Sequence, residues 1–141
     1  MQPLNDLREW SSQTMPQPSV AVIGASNDRR KFGNKAVRAY LENEYTVFPV
    51  NPREDIVEGI KAFHSVEEIK EPVEIVSMYV PPAVGIKMLA AIAAIKPQEV
   101  WLNPGSESDD LIEAAADLKL RVVVACSITA LGSDPDTIPD H

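Results

Sequence analysis

The sequence predicts a three-layer α/β/α domain built on a doubly wound, parallel, five-stranded sheet of the Rossmann-like type. Short apolar, β-rich runs alternate along the chain with helical stretches that carry one apolar stripe. The apolar runs are continuous rather than alternating in polarity, the pattern of parallel strands covered on both faces. With right-handed crossovers these strands give an expected order of 3-2-1-4-5, and ligands belong beyond the strands' carboxyl ends, at a switch between strands one and four.

Each element follows in order. Leu4 to Ser12 reads as a short helix with Leu4, Leu7 and Trp10 on one face, and "TMPQPS" is a proline-broken connector. Residues 1–18 thus form an N-terminal helical arm and connector, and residues 19–141 a single domain. Strand one is Ser19 to Ile23. Helix one runs from Phe32 to Asn43 with a stripe of Ala36, Val37, Tyr40 and Leu41. Strand two is "YTVFPVN". A loop with a strand remnant follows, and Ser65 caps the turn "VEEI". Strand three is "VEIVSMYV". Pro81 and Pro82 open the helix "AVGIKMLAAIAAIK", which is apolar on nearly every face except Lys87 and is expected to be deeply covered. Strand four is "EVWLN". The helix "ESDDLIEAAADLK" places acidic residues where its dipole favours them, and strand five is "RVVVAC".

Composition narrows the function classes. The chain has 141 residues, long enough to bury a core, with 13 basic against 21 acidic residues and a net charge of −8. That field repels a phosphate backbone, so nucleic acid is not an expected partner. No apolar run reaches the roughly 20 residues of a membrane span, and the polar start lacks a signal-peptide layout. One cysteine excludes an internal disulfide framework and fits a cytoplasmic location.

Against the acidic background, Arg29, Arg30, Lys31, Lys35 and Arg38 crowd into ten positions, with Arg53 in the next loop. A solvated face is the plain explanation of such a run. Its position suggests more, because it follows "VAVIGAS". There Gly24 permits a tight turn and close backbone approach, Ser26 and Asn27 offer polar groups, and the next helix starts with free N–H donors. The loops 24–31, 51–54, 80–82, 103–106 and 126–128 all leave carboxyl ends of strands. A dinucleotide fingerprint from Gly24 requires glycines where Ser26 and Arg29 stand, and an NAD site wants an acidic residue where strand two ends in Asn51, Pro52 and Arg53. A cation there suits a ribose carrying a phosphate, as in NADP or coenzyme A.

"VAVIGAS", the basic stretch to "FGN", "YTVFPVNP" and "VEIVSMYVPP" together resemble the small stand-alone CoA-binding proteins, relatives of the CoA-binding domain of the succinyl-CoA synthetase alpha subunit. The resemblance covers about Val20 to Cys126. It implies that Gly24, Ala25 and Ser26 wrap the phosphates of coenzyme A or an acyl-CoA, with Arg30 and Lys31 beside them. It places Asn51, Pro52 and Arg53 at the adenosine end, and the turns at Val80-Pro81 and Asn103-Gly105 along the adenine and pantetheine cleft. Asn103-Pro104 stands where the synthetases have Thr-Glu, and the length leaves no room for the domain carrying their phosphorylated histidine.

No catalytic constellation is evident. His64 has no acidic partner suggested by spacing, His141 ends the chain, and both read as surface or core histidines. Asp109-Asp110 reads as a first-turn pair rather than a general acid and base. Two histidines and one cysteine make no zinc site. Trp10 and Trp101 read as packing residues. Cys126, at the end of strand five, is either a small buried hydrophobe or a thiol that meets the coenzyme's own. Three functions stand: a non-catalytic or regulatory CoA-binding protein, an NADP-dependent oxidoreductase or redox sensor, and a ligand-free interaction module. The N-terminal arm could also pack on a second subunit or another protein.

Overall fold

The computed structural model describes residues 17–141. The helix expected over Leu4 to Ser12 lies outside them. The main sheet comprises β1 (Ser19–Ile23), β2 (Thr46–Val50), β5 (Ile75–Met78), β6 (Glu99–Leu102) and β7 (Val122–Val124), all parallel. Two short strands, β3 (Ile56–Val57) and β4 (Ile60–Lys61), form an antiparallel hairpin beyond β2. The expected five-stranded Rossmann-like sheet is present.

Its order is a correction. The strands lie β2-β1-β5-β6-β7, which makes the main strands 2-1-3-4-5 rather than 3-2-1-4-5. The chain leaving β2 crosses back over β1 and pairs on its far side, with Val20 opposite Ile75 and Ile23 opposite Met78. The switch point therefore lies between β1 and β5, where chain connections depart in opposite directions.

Helices cover both faces. On one face α1 (Phe32–Glu42) and α5 (Ser127–Ala130) pack on Val20, Val22 and Val47 through Ala36, Val37, Tyr40 and Ile128. On the other, α3 (Leu89–Ala94) and α4 (Asp109–Asp117) pack on Ala21, Ile23, Val76, Met78, Val100 and Leu102 through Leu89, Ile92, Leu111 and Ala115. Every residue of β1 is buried, which is why its sequence shows no polar alternation. Fully burying each such aliphatic side chain contributes roughly 1.5–3 kcal/mol.

Other elements depart from expectation in explicable ways. Leu41 is exposed, and Ala39 takes its place in the buried stripe of α1. The run after Pro81 breaks into α2 (Pro82–Gly85), a 3-10 turn (Ile86–Met88) and α3. It is covered on one side only. Gly85, Leu89 and Ile92 face the sheet, while Val84 and Ile86 are exposed. Ser65 holds the N-cap position of its 3-10 turn, but its hydroxyl makes no cap bond; the His64 N–H donates to Glu68 instead, at 2.8 Å. At α4 the cap is Ser108, whose hydroxyl accepts from the Leu111 N–H at 3.1 Å. No helix among the described residues is long and apolar enough to cross a membrane.

Candidate functional site

The turn after β1 is built by close backbone packing. Gly24 has φ of +89°, and its N–H donates to the Val50 carbonyl at 3.0 Å. A Cβ on Gly24 would stand 2.9 Å from the Tyr79 carbonyl oxygen and 3.2 Å from Val80. This one residue thus sits among the ends of β1, β2 and β5. Gly33, in the first turn of α1, is as constrained, because a Cβ there would lie 2.1 Å from the Gly24 carbonyl oxygen. Only glycine at both positions lets helix and turn meet.

Side chains then lock the turn. The Asn51 amide donates to the Ala25 carbonyl at 2.7 Å, and its oxygen accepts from the Arg53 N–H at 2.8 Å. The Asn34 amide donates to the Ser26 carbonyl at 2.8 Å and to Glu58 at 2.9 Å. The Ser26 hydroxyl accepts from the Asp28 N–H at 3.0 Å. Asn27 ties the loop to the hairpin side, donating to Glu54 and to the Ile56 carbonyl, both at 2.7 Å.

The helix start that faces this turn is uncapped. Lys31 occupies the N-cap position without a capping side chain, and the first turn of α1 has no acidic residue. The N–H groups of Asn34 and Lys35 bond the Lys31 carbonyl, so Phe32 and Gly33 hold the helix's unpartnered donors among the described residues. Free N–H groups at the positive end of a helix dipole, beside a turn without side-chain bulk, favour an anion.

The basic cluster is less free than its sequence suggests. Arg30 makes a two-point pair with Asp28, with both bonds at 2.9 Å, and this hydrogen bonding holds the Asp28 carboxyl down at about 2. Arg29 stands 3.7 Å from Glu58, and Lys35 lies 2.7 Å from Asp140. Arg38 donates to Asn34 and to the carbonyls of Arg29 and Pro139. Lys31 and Arg53 are exposed and make no ion pair among the described residues. Of the six cations that the sequence singles out, these two make neither an ion pair nor a side-chain hydrogen bond among the described residues.

The remaining expected residues divide. Val80 is half-buried against the sheet and Pro81 is exposed at the N-cap of α2. Gly105 is exposed at φ +94°, with open space where a Cβ would stand, and Pro52 is exposed. Asn103 is fully buried and spent on the fold. Its amide donates to the Ser77 hydroxyl and the Met78 carbonyl, both at 2.9 Å, and its oxygen accepts from the Ser127 N–H at 2.7 Å. Ser77 and Ser127 bond each other at 2.8 Å, and Ser106 donates to the Met78 carbonyl at 3.1 Å. This network braces the ends of β5, β6 and β7 so that the loops above keep their places.

Cys126 is half-buried, packed with Tyr79 on the α1 side of the sheet. Burial pushes the Tyr79 hydroxyl above its ordinary pKa, and that hydroxyl is enclosed without a hydrogen-bond partner among the described residues. His64, contrary to the sequence expectation, has acidic neighbours: Asp55 at 2.8 Å and Glu68 at 3.9 Å. Asp55 comes from the loop nine residues earlier, and Glu68, four residues on, is brought near by the 3-10 turn. The pair is exposed. No group of residues suited to hold a metal ion occurs among the described residues. A groove of about 670 Å³ lies elsewhere, between α1 and the C-terminal segment, and shares only Arg29 with the strand-end loops.

A parallel sheet with a glycine-built turn and a free helix start at its switch point defines a nucleotide-binding class of domain. The chain belongs to the CoA binding domain family, whose model matches residues 18–132. Membership supports coenzyme A binding, in line with the resemblance seen in the sequence. Among curated relatives, the alpha subunit of an ADP-forming acetate–CoA ligase II from Pyrococcus furiosus is 44% identical over 63 residues, 44% of this chain. An ADP-forming acetate–CoA ligase from Methanocaldococcus jannaschii is 32% identical over 83 residues, 58% of this chain. The matches cover 14% and 12% of those relatives' own lengths. Among solved structures, cell-free ID.343 from Thermus thermophilus superposes with a TM-score of 0.74 at 29% identity, covering 93% of this chain and 97% of that one.

Proposed function

We propose that this protein binds coenzyme A or an acyl-CoA across the carboxyl ends of β1, β2, β5 and β6, as a binding or regulatory protein that catalyses no reaction alone. The observation that carries this reading is the uncapped, acid-free start of α1 held against the Gly24 turn. Gly24, Ala25 and Ser26 would lie along the phosphates, with Lys31 beside them and Arg30 contributing only as far as Asp28 releases it. Asn51 fixes the turn and sets Pro52 and Arg53 at the adenosine end. Val80, Pro81 and Gly105 would border the cleft for the adenine and pantetheine, and Asn103 supports it from beneath. The coenzyme would supply a thiol for carrying acyl groups; the chain's part is to hold and orient it.

Arg53 separates the candidate ligands. It is exposed and lies just beyond the end of β2. A charge-assisted hydrogen bond to the ribose phosphate contributes roughly 1.5 kcal/mol, or about tenfold in affinity. Coenzyme A is therefore expected to bind about tenfold more tightly than dephospho-CoA in calorimetric titration, and Arg53→Ala to erase most of that difference. NADP carries a comparable phosphate without the pantetheine arm and is expected to bind more weakly. Tighter binding of NADP would replace this reading with the NADP-dependent one. Equal loss for both CoA forms would make Arg53 structural.

Cys126 supplies a second test. Its place just beyond β7 puts a thiol at the ligand end of the sheet. Incubation with the disulfide of coenzyme A is expected to add one CoA to the protein by exchange, releasing one free coenzyme thiol. Intact-mass measurement should show the adduct, its loss on reduction, and its absence from Cys126→Ser. Unmodified protein that still binds the coenzyme would assign Cys126 to packing alone.

A further inference from the structure

The β3–β4 hairpin turns through Glu58 and Gly59, both in the left-handed region at φ of 50° and 77°. Two-residue hairpin turns of this kind favour Asn, Asp or Gly first, because an ordinary side chain there is strained. Glutamate is a poor choice for the turn itself, and its contacts show what it does. Its carboxylate accepts from Asn34 at 2.9 Å, and the same Asn34 nitrogen donates to the Ser26 carbonyl at 2.8 Å. It also stands 3.7 Å from the Arg29 Nε, a buried atom with no hydrogen-bond partner among the described residues. The Glu58 N–H donates to Asn27 at 3.3 Å. One side chain therefore positions the turn and partly neutralises the cation next to it.

A second guanidinium adjoins the pair. Arg38 donates to the Asn34 oxygen at 2.8 Å and to the Arg29 carbonyl at 2.9 Å. Burial chiefly, and then Arg29, disfavour its charge, while Glu58 supports it. The Glu58 side chain is only 19% exposed, so solvent screens its charge less than that of a surface carboxylate.

We infer that Glu58 is a specificity-determining and positioning residue of the phosphate turn: it fixes Asn34 against Ser26 while keeping Arg29 occupied, and so lowers the attraction for highly charged ligands. The inference rests on the coenzyme reading above. Glu58→Gln keeps an acceptor for Asn34 and removes the charge. It is expected to bind coenzyme A about threefold more tightly at low salt, on the scale of a partly screened charge pair. Its affinity should fall more steeply with added salt than that of the unsubstituted protein. The gain should be smaller for dephospho-CoA, which carries less charge. Arg29→Gln, at a side chain 42% exposed, leaves Glu58 uncompensated and is expected to weaken coenzyme A binding about threefold, with a shallower salt dependence.

A purely structural tie has a different signature. Glu58→Gln would then bind equally or more weakly, with an unchanged salt slope, and that result overturns the inference. If Glu58→Gln fails to fold, Arg29→Gln decides alone, and unaltered affinity in it overturns the inference equally. Absence of coenzyme A binding by the unsubstituted protein would instead remove the coenzyme reading, so the two failures are separable.

Discussion

Replacing Gly33 with alanine is expected to destabilise the fold by about 1–3 kcal/mol and to weaken coenzyme A binding at least tenfold. Helix propensity argues the other way, since alanine in a helix is favoured over glycine by about 1 kcal/mol. The contact decides the sign. A Cβ on Gly33 would lie 2.1 Å from the Gly24 carbonyl oxygen and 3.0 Å from its carbon, both backbone atoms that no rotamer change can move. Gly24 cannot retreat, because its N–H is bonded to Val50 and its α-carbon is closely backed by the Tyr79 carbonyl. The start of α1 must therefore back away, carrying the free N–H groups with it. Chemical denaturation beside a calorimetric titration measures both effects. An alanine variant more stable than the parent would show that helix and turn do not meet this closely.

That glycine marks the limit of what the sequence makes visible. Alternation of apolar runs and amphipathic stretches identified the five parallel strands and the loops at their carboxyl ends, because burial on both faces leaves a local signature. Strand order leaves none. Whether the chain crosses back over β1 depends on how the segment from Asn51 to Val73 packs, and local pattern is silent there, so the switch point lies between β1 and β5 and not between the strands the sequence predicts. Gly24 was readable from its place after β1, but Gly33 acts through a close approach that no dinucleotide spacing describes. The charge cluster shows the same divide. Arg29 to Arg38 are visible as a run, and Arg30 finds its partner Asp28 locally, whereas Glu58 and Asp140, the partners of Arg29 and Lys35, are distant in sequence. The buried network of Ser77, Asn103 and Ser127 joins three elements far apart in the chain, so no local pattern reveals it.

Asn103, at the centre of that network, is the other position where a single substitution should act strongly. Asn103→Ala removes three hydrogen bonds and strands the Ser127 N–H in the interior. At roughly 1–3 kcal/mol for each buried group left unsatisfied, a loss of about 3 kcal/mol is expected, a large share of a typical domain's roughly 5–15 kcal/mol. Asn103→Asp should cost more at neutral pH. The substituted side chain can still accept from Ser127, but an ionised carboxylate would face the Met78 carbonyl, to which the native amide donates. Protonating that carboxylate restores one donor. Burial therefore raises the introduced group's folded-state pKa above its unfolded value of about 3.9. The folded form then holds the extra proton, so the variant's deficit relative to the parent should grow as pH rises above about 4 and shrink as pH falls toward it. Denaturant titrations of parent and variant between about pH 4 and 8 measure the difference, chosen because changes common to both chains cancel. A deficit independent of pH would mean that the side chain at position 103 reaches water, and that the brace beneath the cleft is looser than the Asn103 contacts imply.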